Sequence, residues 1–331
     1  MGNLLTAVDL RAYYRTVQGE EIKAVDDVSI EVREGEVLGI AGESGCGKST
    51  LASVLAFTVI PPLYVVSGEV RANGTNILAL DRETLRREIK GKYISIVPQG
   101  AMNSLNPTLR IRNFVVDVLK EHFPEISKEE ALQRARERFE ALSLPPRILD
   151  AYPHQLSGGM KQRTVTVIST LLNPKVLIAD EPTSALDVSS QKIVIKLLVE
   201  LLRRQIIKSV VFITHELPLL RHFADRIAIM YAGKIVEVGP MEDIIFNPLH
   251  PYSKLLMSSV LVPEKGIKSK KIEAIPGVPP NLKNPPPGCR FHPRCPSYIE
   301  GVCNTAVPPL IEIKPNHKIS CFLYGGKDGE S

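Results

Sequence analysis

The chain of 331 residues has no long apolar run. No stretch approaches the roughly 18 to 20 apolar residues that a transmembrane helix needs. The opening residues 1–6 also lack the charged and apolar regions of a signal peptide. We therefore expect a soluble, cytosolic protein that acts at a membrane only through partners.

The sequence has little charge of one sign. The net charge is +5, no block of like charges occurs, and no internal repeat is visible. This excludes the basic patch of a nucleic-acid-binding protein. The length exceeds what one hydrophobic core usually organises, so we expect one large domain with an appendage, or two domains.

Apolar periodicity predicts alternating strands and helices. An amphipathic helix is predicted to start at a capping box in residues 127–130 and to end near 142. A hairpin is predicted to turn at Ala232 and Gly233, between strands 226–231 and 234–238. The other predicted strands span 4–13, 22–32, 37–41, 68–72, 93–97, 176–179 and 210–214, and a helix is predicted for 189–204.

A glycine-rich segment follows the apolar run 37–41. Residues 42–50 fit the phosphate-loop pattern G-x-x-x-x-G-K-[ST], and 48–57 predict a helix directly after it. Glycines let successive N–H groups and the helix N-terminus point at a phosphate chain. We expect Lys48 to reach the β- and γ-phosphates and the Ser49 hydroxyl to bind Mg²⁺. The nucleotide-binding residues predicted here are Gly42, Ser44, Gly45, Cys46, Gly47, Lys48, Ser49 and Thr50, with Cys46 as inert filler.

A second apolar run, 176–179, ends in Asp180 and Glu181. A buried strand that delivers carboxylates at its C-terminal edge is typical of nucleotide sites in open α/β sheets. Asp180 is expected to hold Mg²⁺ directly or through water. Glu181 is expected to orient and polarise the water that attacks the γ-phosphate.

A second anion-binding helix end is predicted at residues 156–163, where the helix continues to about 172. Ser157 is an N-cap type of residue, and Gly158 and Gly159 leave the helix N-terminus bare. One nucleotide cannot easily occupy both helix ends of one chain. We therefore expect a head-to-tail dimer in which Ser157 and these amides meet the γ-phosphate held by the partner's loop.

These motifs, in this order, resemble an ATP-binding-cassette transporter ATPase over roughly residues 4–260. The resemblance implies a P-loop α/β core with a mixed sheet and a RecA-like lobe, an antiparallel β subdomain and an α-helical subdomain at about 105–170, within a domain of residues 1–262. It implies that 184–187 form the D-loop, that Gln99 senses Mg²⁺ and the attacking water, and that His215 contacts the γ-phosphate. Tyr14 is expected to stack on adenine, with Tyr13 as the alternative.

The C-terminal part resembles that of dipeptide and oligopeptide importer ATPases, whose extension is expected at 263–331. Segments 250–254, 275–280 and 288–296 match it in residue identity and in order. Residues 276–287 are rich in proline and predict an extended connector. One departure follows Gln99: residues 100–102 are Gly-Ala-Met where an acidic residue and proline are more usual. This segment is expected to contact the membrane subunit.

Four of the five cysteines lie in the last 43 residues: Cys289, Cys295, Cys303 and Cys321. A cytosolic location disfavours disulfides, and a proline-rich segment with little core favours a metal that orders it. Zinc suits four cysteines, but zinc sites usually carry closely spaced pairs, and an iron–sulfur cluster tolerates wider spacing. The resemblance implies a [4Fe–4S] cluster. Zinc, or free thiols or a disulfide, remain as alternatives.

The resemblance thus implies a peripheral ATPase on the cytoplasmic face of the membrane, with ATP and Mg²⁺ as cofactors. Its expected partners are a second ATPase chain, identical or paralogous, together with transmembrane permease subunits and an extracytoplasmic substrate-binding protein. The expected cargo is dipeptides or oligopeptides, with oligosaccharides or nickel complexes as alternatives. A soluble cassette ATPase of translation or DNA repair is disfavoured, because the chain has one cassette and no coiled-coil insert. A regulatory module without turnover is disfavoured by the presence of both Glu181 and His215.

Overall fold

The computed structural model describes residues 2–259 and 275–324. The strands in chain order are β1 (Asn3–Arg15), β2 (Glu21–Arg33), β3 (Val37–Ala41), β4 (Leu63–Ala72), β5 (Thr75–Asn76), β6 (Ile94–Val97), β7 (Val176–Asp180), β8 (Ser209–Ile213), β9 (Arg226–Tyr231), β10 (Lys234–Pro240), β11 (Ile311–Lys314) and β12 (His317–Ile319). The helices are α1 (Lys48–Leu55), α2 (Arg82–Thr84), α3 (Ile111–His122), α4 (Lys128–Ala141), α5 (Gly158–Ser169), α6 (Val188–Arg203), α7 (Leu217–Leu220), α8 (Met241–Phe246) and α9 (Pro251–Ser258). Among the described residues, no helix is long and apolar enough to span a bilayer.

The chain divides into two compact units. Of the described residues, the first unit comprises 2–5, 32–35 and 71–212, and the second comprises 6–31, 36–70, 213–259 and 275–324. The expected boundary at residues 262 and 263 lies outside the described residues.

The first unit places β7 between β8 and β6. Strands β6 and β7 are parallel and pair Ile94 with Val176 and Val97 with Ala179. All five residues of β7 are buried, as expected for a parallel strand covered on both faces. Helices α3, α4, α5 and α6 belong to this unit, and α6 confirms the helix predicted for residues 189–204.

The capping box at residues 127–130 is confirmed as the start of a helix. The Ser127 hydroxyl accepts a hydrogen bond from the Glu130 N–H at 3.0 Å and caps α4. Ala131, Ala135 and Phe139 are buried at spacings of four residues, which places them on one helix face. Predicted amphipathicity and the observed burial therefore agree.

In the second unit, the strand order is β11-β12-β10-β9-β3. Strand β3 is parallel to β9, and β9 and β10 form the predicted antiparallel hairpin. Its turn residues Ala232 and Gly233 have φ of 45° and 85°, which matches the twist of a tight hairpin. A second set of strands in this unit has the order β2-β1-β4.

Two predictions about strands were incomplete. Strand β4 begins at Leu63 and not near residue 68. The sequence-based prediction missed this first part of the strand because Val65 and Val66 are adjacent and lack the alternation that marks a half-buried strand. The tail also contributes strands: β12 pairs with β10, joining Val238 to Lys318. These three-residue and four-residue strands are too short to produce a periodic pattern, and their stability comes from pairing: β12 pairs with β10, and β11 pairs with β12.

Candidate nucleotide-binding site

The phosphate loop follows β3 in the second unit, where its glycines meet neighbouring backbone. Because β3 and β9 pair Ala41 with Ile229, Gly42 emerges beside Met230. A Cβ atom at Gly42 would lie 2.1 Å from the Met230 carbonyl oxygen, and one at Gly47 would lie 1.9 Å from that of Ala24. Both glycines also have positive φ, of 153° and 107°. Only glycine fits these two positions, and the backbone is thereby held in a tight wrap.

Lys48 begins α1 and is buried, with 5% of its surface exposed. Its ammonium group donates to the carbonyl oxygens of Gly42 and Glu43, each at 2.9 Å. The Cys46 sulfur lies 3.7 Å from the same ammonium. The lysine charge is therefore held against the backbone of the phosphate loop.

The two tyrosines proposed for adenine differ in their surroundings. Tyr13 is buried and donates a 2.6 Å hydrogen bond to Asp26, and burial together with this bond raises the pKa of its phenol. Tyr14 is only half-buried, and its hydroxyl lies 3.1 Å from the Thr50 hydroxyl oxygen. Tyr14 is the less buried of the two tyrosines and lies beside the start of α1, which favours Tyr14 over Tyr13 as the expected contact of adenine.

His215 also belongs to the second unit and is exposed directly after β8. The preceding residue, Thr214, donates its N–H to the Ile40 carbonyl oxygen at 3.1 Å. The residue directly before His215 is therefore hydrogen-bonded to β3, the strand that leads into the phosphate loop.

In the first unit, the parallel register of β6 and β7 brings Gln99 and Glu181 together. The strands pair Val97 with Ala179, so the residues two positions further on leave the sheet side by side. The Gln99 amide donates a 3.1 Å hydrogen bond to the Glu181 carboxylate. Asp180, the last residue of β7, is 4% exposed. The Gln99 amide and the carboxylates of Asp180 and Glu181 thus lie at the C-terminal ends of two adjacent strands, as expected for groups that bind a metal-bound phosphate and water.

Glu181 has a left-handed backbone, with φ of 47°. Such a conformation is uncommon for a residue other than glycine, asparagine or aspartate. The Ser184 hydroxyl donates to the Glu181 carbonyl oxygen at 2.9 Å, and this bond supports the turn. The first residue of the predicted D-loop therefore helps to orient the proposed base.

The N-terminus of α5 is solvent-exposed. Ser157 caps it by accepting a 3.3 Å hydrogen bond from the Met160 N–H, and both Ser157 and Gly158 are exposed. A Cβ atom at Gly159 would lie 3.1 Å from the Ser190 hydroxyl oxygen. This helix end is free to meet a group from outside the chain, as the predicted head-to-tail arrangement requires.

The four C-terminal cysteines are free and lie near one another. The Cys289 N–H donates to the Cys303 carbonyl oxygen at 2.8 Å. Burial raises the pKa of Cys289 to about 11, and the negative charge of the other three cysteines in their thiolate form adds to the effect. Burial likewise raises the pKa of Cys295 and of Cys321. Even so, across residues 2–259 and 275–324 no group of three or more His, Cys, Asp or Glu side chains has an arrangement ready to hold a metal ion.

The structure places two residues at the phosphate loop that the sequence did not predict. The Tyr252 hydroxyl accepts a hydrogen bond from the Glu43 N–H at 2.9 Å, and Arg294 forms an ion pair with the Glu43 carboxylate. Both lie in segments of the chain whose residues resemble the importer family. That resemblance was the available signal, but nothing in the sequence connects residues more than 200 positions from the loop to Glu43.

The comparisons with known proteins agree with these observations. Residues 25–184 match the family described as ABC transporter, and residues 236–303 match the family described as oligopeptide/dipeptide transporter, C-terminal region. A dimeric post-hydrolysis structure of the ATP-binding cassette MJ0796 bound to ADP and Pi superposes with a TM-score of 0.63 at 29% identity. It covers 72% of this chain and 98% of that one.

Three relatives are similar over almost the whole chain. The dipeptide transport ATP-binding protein DppD of Caldanaerobacter subterraneus subsp. tengcongensis is 40% identical, covering 98% of each chain. The oligopeptide transport ATP-binding protein OppD of Bacillus subtilis is 38% identical, covering 97% of this chain and 88% of the relative. OppD of Escherichia coli is 39% identical, covering 96% and 93%. The chain therefore belongs to the ABC transporter ATPase family and carries the oligopeptide/dipeptide transporter C-terminal region.

Proposed function

We propose that this chain is the ATP-hydrolysing subunit of an importer that takes up dipeptides or oligopeptides. The observation that carries the proposal is the joint presence of a cassette and the C-terminal region typical of oligopeptide and dipeptide transporters. Relatives with peptide-transport names are similar over nearly the full length. Oligosaccharides and nickel complexes are the alternative cargoes, and a soluble cassette ATPase is disfavoured by the C-terminal region.

In this function, Lys48 binds the β- and γ-phosphates of ATP while Ser49, Gln99 and Asp180 hold Mg²⁺. Glu181 activates the attacking water, and its hydrogen bond with Gln99 supports a shared role at that water. The other proposed nucleotide contacts are Tyr14, Gly42, Ser44, Gly45, Cys46, Gly47, Thr50 and His215, together with Ser157, Gly158 and Gly159 of the partner chain.

The proposed assembly pairs two ATPase chains beneath transmembrane permease subunits on the cytoplasmic face of the membrane, and an extracytoplasmic binding protein delivers the peptide. The dimeric state of the structurally similar cassette supports the paired arrangement. The exposed, capped N-terminus of α5 supports it independently, because that end faces solvent in the single chain.

Reconstitution tests the proposed cargo. The chain would be purified with the permease and binding-protein subunits that co-purify with it and placed in proteoliposomes. We expect ATP-dependent uptake of a labelled dipeptide, and no uptake with the Glu181→Gln variant. Excess unlabelled oligosaccharide or a nickel complex should not compete. The peptide assignment would be contradicted if excess oligosaccharide or nickel complex abolished the uptake and excess unlabelled peptide did not.

We also propose that Cys289, Cys295, Cys303 and Cys321 hold a [4Fe–4S] cluster. Four free cysteines from one segment, of which burial raises the pKa of Cys289, Cys295 and Cys321, are a donor set that a bound cation would favour in the thiolate form. Bound metal would contribute order to the proline-rich tail. Protein purified anaerobically should contain about four irons and four sulfides per chain. One zinc ion per chain would instead assign the four cysteines to a zinc site. Metal-free protein would contradict both the cluster and the zinc site.

A further inference from the structure

Glu43, the second residue of the phosphate loop, is anchored at three points. Its carboxylate receives two hydrogen bonds from the Arg294 guanidinium, at 2.7 and 3.0 Å. Its N–H donates to the Tyr252 hydroxyl at 2.9 Å, and its carbonyl oxygen accepts from the Lys48 ammonium at 2.9 Å. Only the last of these partners is part of the loop itself. The position of Glu43 therefore depends on the C-terminal part of the chain.

The Arg294 side chain is buried and makes hydrogen bonds besides those to Glu43. Its side chain is 6% exposed, against 22% for Glu43. Its Nε donates to the Pro276 carbonyl oxygen at 2.6 Å, and one terminal nitrogen also lies 3.2 Å from the Tyr231 hydroxyl. The planar guanidinium is thus fixed on both edges, which suits a bidentate pair with a carboxylate.

Aromatic packing supports the same contact. Tyr231, Tyr252 and Phe291 are fully buried and meet at ring-centroid distances of 4.6 to 5.3 Å. Tyr231 and Tyr252 provide the hydroxyls at Arg294 and Glu43, while Phe291 lies three residues before Arg294. The guanidinium and the loop therefore share one rigid support.

The electrostatic consequence concerns anion binding. Glu43 is the single acidic residue within residues 42–50. A carboxylate in a loop that receives a phosphate chain repels that chain unless its charge is compensated. Removing one partner of a mostly buried ion pair leaves the other charge uncompensated. Arg294 is the residue whose charge offsets Glu43.

We propose that Arg294 is a positioning residue for ATP. Through its ion pair with Glu43 it cancels the negative charge of the phosphate loop, which makes the C-terminal segment part of the nucleotide site. The inference rests on the proposed function in one respect, namely that the anion bound by the loop is ATP. It does not depend on any metal at the cysteines.

A charge-removal cycle tests this proposal on the full-length chain. Arg294→Gln should raise the Kd for MgATP about tenfold, because an uncompensated carboxylate then faces the phosphates. The double variant Arg294→Gln with Glu43→Gln should return the Kd to within about threefold of wild type, since the repelling charge is gone. Turnover at saturating ATP should change little, so that the effect lies in KM and not in kcat.

Isothermal titration gives the Kd, and steady-state ATPase assays give KM and kcat. Lys314→Gln is the matched control, because it removes a charge from an exposed side chain of the same C-terminal segment. If Arg294→Gln does not fold, Arg294→Lys replaces it. Lysine keeps the charge but loses the bidentate fork, and a rise in Kd of about threefold is expected.

Unchanged ATP affinity in the Arg294 variant would overturn the proposal. A double variant that binds as weakly as Arg294→Gln alone would also overturn it, since the loss would then come from packing and not from charge. Wild-type protein that does not bind ATP would instead contradict the proposed ATPase function, so the two failures are distinguishable.

Discussion

His250 links the protonation of one buried side chain to the stability of the second unit. It is 1% exposed, and its Nδ1 caps α9 by accepting a 3.0 Å hydrogen bond from the Tyr252 N–H. Burial lowers the pKa of His250 to about 4, although the nearby negative charge of Glu237 acts in the opposite direction. A protonated Nδ1 cannot accept the cap hydrogen bond. Protonation therefore opposes the start of the helix that carries Tyr252.

The magnitude follows from the difference between the two pKa values. The folded value of about 4 lies below the ordinary value of 6.5, so the unfolded chain binds more protons in the interval between them. The stability contributed by neutral His250 is present above about pH 6.5 and is lost as the pH falls through about 4. Between pH 7 and pH 5 this amounts to about 2 kcal/mol. Glu237 acts in the same direction at lower pH: its burial opposes ionisation, but hydrogen bonds led by His317 outweigh the burial and lower its pKa.

The variant His250→Asn separates this effect from general acid sensitivity. Asparagine keeps an N-cap acceptor and does not titrate. Urea unfolding followed by far-UV circular dichroism at pH 7 and pH 5 should show a loss of stability that is smaller in the variant by about 2 kcal/mol. His222→Asn, a change at an exposed histidine, is the control. An equal loss in wild type and in His250→Asn would refute the reasoning.

Three further predictions concern the nucleotide site. Glu181→Gln should retain ATP binding and lower ATPase turnover by about 100-fold or more, because only the proposed base is lost; turnover near wild type would remove that role. Ser157→Arg should block turnover while monomeric protein still binds ATP, and mixing it with Lys48→Ala should restore at most one competent site; weaker binding by the monomer would contradict the head-to-tail dimer. Gly47→Ala should abolish ATP binding and reduce stability by about 2 kcal/mol or more, because its Cβ would lie 1.9 Å from the Ala24 carbonyl oxygen. Calorimetry and thermal melting measure both effects, and a variant that folds and binds normally would show that the loop can move.

Much of the fold and the candidate site could be predicted from local sequence. The phosphate loop, the acidic end of β7 and the capped N-terminus of α5 are each formed by consecutive residues whose backbone supplies the chemistry. Strong burial on both faces made β3, β7 and β8 visible as apolar runs. Elements whose stability depends on distant pairing were missed, as β11 and β12 show. The roles of individual site residues stay predictions until the variants are measured.

The sequence by itself determined the phosphate-loop chemistry, the order of the motifs and the family, because these depend on residue type and spacing along the chain. Tertiary structure alone decided which residues meet across long separations. It set the register that joins Gln99 to Glu181, and it brought Arg294 to Glu43. The physical reason is that strand register and ion-pair partners are chosen by packing and pairing of distant segments, which no local pattern of residues records.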